Sequence, residues 1–70
     1  MDTELQHLVK MANQIAENFS FHDDASERVA DHIKRFWAPS MHLSLSRYMA
    51  QPDSELRPEV VAALESLHPS

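Results

Sequence analysis

The chain contains no cysteine and no glycine. Without cysteine there is no disulfide, no thiolate metal site and no thiol nucleophile. Without glycine there is no phosphate-cradling loop of the dinucleotide or P-loop type, because those turns need backbone that only glycine supplies. The commonest helix stop is missing too, so turns must rest on Pro, Asp, Ser and Asn. Basic residues are few: six Lys and Arg stand against eleven Asp and Glu, a formal charge of −5. Such a chain is repelled by a nucleic-acid backbone as a whole, and Lys34-Arg35 is its one basic cluster. Apolar runs fall far short of the roughly 20 residues of a membrane helix. Met1 is followed by the acidic Asp2 and Glu4, which is not the pattern of a secretory leader. A cytoplasmic location is therefore expected, with neither membrane nor nucleic acid as a partner.

Seventy residues make one domain, 1–70. A domain of this size buries only about 60% of the surface its unfolded chain exposes, and small domains usually close the deficit with disulfides, metals or partners. Cysteine being absent, a partner is the option composition leaves most open.

What is present is helical periodicity, four times over, and no strand-like alternation. The expected fold is all-α, a small bundle of four short amphipathic helices at about 3–19, 25–37, 40–50 and 58–67. In the first, Leu5, Leu8, Val9, Ala12, Ile15, Ala16 and Phe19 share an arc of about 120°. Asn13 lies at one edge of that stripe and Met11 at the other, and Thr3 with Gln6 reads as a capping box. Asp24 with Glu27 reads as a second. The next helix gathers Ala25, Val29, Ala30, Ile33, Phe36 and Trp37 on one face, with Asp31 and Arg35 paired outside. Phe36 is expected in the core. Trp37 is assigned either to the core edge or to a partner, since its indole N–H needs water or an acceptor. Pro39 separates this helix from the third, whose stripe is Met41, Leu45, Tyr48 and Met49, with Leu43 on the far side. Residues 51–54, Gln-Pro-Asp-Ser, form a turn. Pro58 opens the last helix, with Leu56, Val60, Val61, Leu64 and Leu67 inward, and Pro69 marks its limit. Leu43, Met11 and Phe21 are the apolar residues expected outside a minimal core.

Side chains suited to chemistry are scattered. The five histidines, at 7, 22, 32, 42 and 68, include no i,i+3 or i,i+4 pair, so no helix carries a ready pair of metal ligands. A site assembled from separate helices stays open. His22-Asp23-Asp24 is the nearest approach to a cluster and reads as a polar loop whose aspartates precede a helix. No serine sits in a glycine-flanked elbow. Three functional classes follow: an interaction subunit, a small helical DNA-binding regulator with the second and third helices as a helix-turn-helix, and a metal-dependent enzyme built around His22. Against the second, the would-be reading helix offers Arg47 as its only basic side chain.

Three segments together resemble one known family. They are Leu8-Val9-Lys10-Met11-Ala12-Asn13-Gln14-Ile15-Ala16, then Val29-Ala30-Asp31-His32-Ile33-Lys34-Arg35-Phe36-Trp37-Ala38-Pro39, and Leu56-Arg57-Pro58-Glu59-Val60-Val61. Their order and spacing, from about Leu5 to Leu67, resemble the delta subunit of NAD-dependent, molybdenum-containing formate dehydrogenases. The stretch after Phe19 shows no family signature, and Arg57 stands before Pro58 where a capping Asp or Ser is expected. The resemblance implies an accessory subunit with no catalytic residue, metal or cofactor of its own. The molybdopterin, iron–sulfur clusters and flavin are then held by partner subunits, and the chain docks on the catalytic alpha subunit. It implies a cytoplasmic complex and a role in assembly, cofactor insertion or activity. Carried onto this sequence, Met11, Asn13, Arg35, Trp37 and Met41 are the expected partner contacts. Whether the free chain self-associates through the same face stays open.

Overall fold

The computed structural model describes residues 3–68, with the side chain of Thr3 excepted. Four helices follow one another, α1 (Thr3–Phe19), α2 (Ala25–Phe36), α3 (Pro39–Met49) and α4 (Pro58–Leu67), and no strand occurs among the described residues. The expected Thr3–Gln6 capping box and the stop at Pro69 lie outside the described residues.

α1 and α4 each pack against all three other helices, whereas α2 and α3 make little contact with each other. The most extensive packing is that of α2 on α4, and α1 and α3 complete the core. Its largest fully buried side chains are Val29, Ile33, Leu45, Val60 and Leu64. Small residues set the spacing: Ala12 and Ala16 on α1, and Ala63 on α4, are almost wholly buried. An i,i+4 alanine pair leaves a shallow groove into which a neighbouring helix's ridge can settle. Ala63 had no place in the expected α4 stripe; its small side chain gives a weak periodic signal.

Caps and turns depart from expectation more than the stripes do. Asp24 precedes α2, but its backbone (φ −104°, ψ 36°) is not the extended form of a capping residue, and no side-chain cap bond forms. Its Oδ1 instead accepts from Arg28 Nε at 2.8 Å. That guanidinium contact is the main reason the Asp24 carboxyl is held below its ordinary range. The outer Asp31–Arg35 pair forms as expected, at 3.1 Å. The 51–54 turn is closed by Ser54 N–H donating to Gln51 O at 3.2 Å, with Pro52 at the position such turns favour.

The end of α2 carries the principal correction. Trp37 leaves the helix in an extended conformation (φ −101°, ψ 142°), with its N–H still donating to Ile33 O at 2.9 Å. Its indole turns inward and is only 6% exposed, while Phe36, expected in the core, is 73% exposed. Rotation about the axis put both residues on the apolar face. Burial is decided by where the chain goes next, and at this point the chain turns the indole, not the phenyl ring, into the core.

Candidate functional site

The five expected partner contacts do not converge on one spot. Met11 and Trp37 do come together: with Gln14, Ile15, Asn18 and His32 they line a groove of about 230 Å³ between α1 and α2. Phe36 continues this surface, because its ring lies 4.9 Å from that of His32. Arg35 precedes it in the last turn of α2, fully outside, with its guanidinium held by the exposed Asp31. Met41 faces a different groove, lined also by Leu5, Leu8 and Arg47 on the α3 flank. It is half-buried against the core.

Asn13 has a task inside the chain. Its Nδ2 donates to Glu55 O at 2.8 Å, and its Oδ1 accepts from Arg57 N–H at 2.9 Å. These bonds fasten the strap that leads into α4, and Tyr48 Oη accepts from Glu55 N–H nearby at 3.4 Å. Arg57 occupies the N-cap position of α4 with no side-chain cap bond of its own. No side chain caps the first amides of α4; Asn13 takes the amide of the N-cap residue Arg57, and the Arg57 carbonyl accepts from Val60 and Val61 N–H at 3.0 and 3.1 Å. Glu59 in the first turn sits below its ordinary pKa range, chiefly through its own backbone N–H and then through Arg57, 3.4 Å away. The edge position of Asn13 on its stripe was legible in the sequence; the carbonyl and amide it meets, some forty residues away, were not.

Histidines meet in a way the spacing could not show. His42 Nδ1 on α3 lies 2.5 Å from His68 Nε2 at the end of α4, one ring donating and the other accepting according to tautomer. Burial, and then the charge of His68, hold His42 below its ordinary value of 6.5. His22 packs between Phe19 and Phe21, with ring centroids 6.1 and 5.0 Å away. Among the described residues no group of three or more His, Asp or Glu is placed to hold a metal ion. Nor is any helix there long and apolar enough to cross a membrane.

Phe36 is the side chain whose exposure the sequence did not show: it stands at the last position of its helix, and periodicity assigned it inward. Phe21 and Leu43, expected outside the core, are 80% and 41% exposed. Phe21 and Phe36 flank opposite ends of α2, about 18 Å apart at 1.5 Å per residue, so they do not form one patch. The helix-turn-helix reading gains nothing, since its two helices must pack on each other and α2 and α3 hardly touch.

These features define a small all-α protein whose recognisable surface is a shallow groove with an exposed ring at its rim. The family model described as NADH-dependent formate dehydrogenase delta subunit FdsD matches residues 7–64, and the chain belongs to that family. No curated protein and no solved structure matches the chain.

Proposed function

We infer that the chain is a non-catalytic accessory subunit of a cytosolic NAD-dependent formate dehydrogenase, docking on the molybdenum-containing alpha subunit. In this reading it holds no cofactor of its own, and it supports assembly, cofactor insertion or activity of the subunit that does. Membership of the delta-subunit family across residues 7–64 is the observation that carries the reading. The α1–α2 face is the docking face it favours, since an exposed aromatic ring there stands beside a groove that Met11, Ile15 and Trp37 line together with polar Gln14, Asn18 and His32.

The test is a pull-down with this chain as bait from cells grown on formate, with the eluate assayed for molybdenum and for formate-dependent NAD reduction. Recovery of that activity is expected. Binding to the mature enzyme assigns a permanent subunit, and binding only to cofactor-free alpha subunit assigns an assembly role. Failure to retain either form overturns the docking reading.

A further inference from the structure

The histidines have no local metal spacing, and on spacing alone a site assembled from separate helices stays open. The fold brings one such pair together. His42 stands near the start of α3 and His68 ends α4, and His42 Nδ1 lies 2.5 Å from His68 Nε2. The ring centroids are 4.7 Å apart and the rings are tilted by 40°. Both backbones are fixed: His42 N–H donates to Ala38 O at 3.4 Å, and His68 N–H donates to Leu64 O at 2.8 Å. The packing of α3 on α4 therefore holds two imidazole nitrogens toward each other.

We propose that His42 and His68 form a two-imidazole site for a late divalent transition ion, with Ni²⁺ as its probe, and that the bound ion clasps the end of α4 to α3. Imidazole suits nickel, copper and zinc, whereas magnesium and calcium take oxygen. Metal–nitrogen bonds of about 2.0–2.1 Å put two ligands about 2.9 Å apart at a right angle and about 3.4 Å apart at the tetrahedral angle. From 2.5 Å the pair opens by about 0.4 Å for the first geometry and about 0.9 Å for the second, a small turn of two half-buried side chains. The right-angled arrangement is that of Ni²⁺ and Cu²⁺. Binding breaks the hydrogen bond between the rings, and both lone pairs go to the ion. The ring that donated carries its proton on its other nitrogen instead, so the neutral pair releases no proton. Burial, and then the charge of His68, hold His42 below 6.5, so this ring is already in its ligating form at neutral pH. Among the described residues no third His, Asp or Glu joins the pair, and water fills the remaining positions. Two protein ligands are one fewer than a catalytic zinc site supplies, which makes the ion a clasp and not a reaction centre. A clasp of this kind suits a chain of 70 residues with no cysteine for a disulfide.

The full chain, free of any histidine tag, is titrated with Ni²⁺ at neutral pH. Amide and imidazole NMR signals are followed, since the paramagnetic ion broadens those near it, together with the thermal midpoint. Broadening is expected first around His42 and His68, at one ion per chain. The midpoint should rise by about 5–15 °C at a free ion concentration a hundredfold above the dissociation constant. His42→Gln and His68→Gln should each weaken binding at least about tenfold and remove the rise. His7→Gln should leave both unchanged, and Mg²⁺ should produce neither effect. Helicity and the metal-free midpoint show whether each variant is folded, and either pair variant alone carries the test. Broadening centred on His7, His22 or His32, or binding unchanged in the pair variants, assigns the ion to the general surface and overturns the site. Broadening at the pair with no rise in the midpoint overturns the clasp. No broadening at all leaves the two rings a hydrogen bond only. Each of these results stands whether or not the chain docks on a partner.

Discussion

Asn13 on the strap side of the molecule, and Met11 and Trp37 on the α1–α2 side, were all expected to meet a partner, and the two sides divide by what completes them. On the strap side, the amide of Asn13 finds a carbonyl and an N–H of its own chain, and Tyr48 takes another. On the α1–α2 side, Phe36 finds one face of His32 and otherwise solvent. Polar groups at the edge of a stripe can be satisfied by a loop that returns to them. An exposed ring at a helix end gains nothing from a returning backbone amide or carbonyl and is covered by side chains packed on it. Position on a helical stripe thus does not say what completes a side chain, and the fold does.

Substitutions break this comparison in order of size. Trp37→Ala should cost about 3 kcal/mol or more, since it empties a buried indole site between the groove and the core, and urea unfolding reads it directly. For a domain of this size that loss leaves little folded protein. Asn13→Ala should cost about 0.5–1.5 kcal/mol, chiefly through the part-buried Arg57 amide, since water can replace Asn13 at the exposed Glu55 carbonyl. Faster hydrogen exchange at the Arg57 amide would localise that loss to the strap, and unchanged exchange there would refute the clamp.

A third, smaller effect lies at the α3–α4 end. The His42 pKa is lower in the folded chain than its unfolded value near 6.5, through burial and the His68 ring beside it. The unfolded chain then binds more protons over that interval, so stability is full above pH 6.5 and falls as pH drops toward the folded value. Below that value this contribution changes no further. His42→Gln should flatten the slope in that window. Asp24 and Glu59, held below their ordinary 3.8 and 4.5, lose their contributions only at more acid pH, so the windows separate in a pH titration of the thermal midpoint. Smallest of all, Phe36→Ala should change unfolding stability by no more than about 0.5 kcal/mol. A larger loss would mean that the ring supports the core and would erase the contrast with Asn13.

Much of the fold was legible because helical periodicity reports rotation. The stripes of α1, α3 and α4 point where their spacing says, with Leu8, Leu45 and Val60 buried and Leu43 outside. Pro39 and Pro58 open helices in the first turn, as fixed φ and a missing N–H require. Rotation says nothing of height, and that is where Phe36, expected in the core, stays outside while Trp37, left between core edge and partner, is buried. Nor does it report meetings between distant segments. The clamp on Asn13 and the His42–His68 contact join residues 26 to 44 positions apart, and no local pattern encodes such a pairing. Of the expected partner contacts, Met11 and Trp37 share one groove and Met41 belongs to another, and the exposure of Phe36 was hidden by its own hydrophobicity.

The Asn13 clamp also bears on the order of events during synthesis. Its partners emerge from the ribosome more than forty residues after it does, so α1 must persist with that amide in water while α2 and α3 are made. α1 and α2 can meet early, but α4, which touches every other helix, arrives last and completes the core. The nascent chain therefore exposes the apolar faces of three helices until α4 docks, and closure of the strap onto Asn13 is a late, long-range step in reaching the folded state.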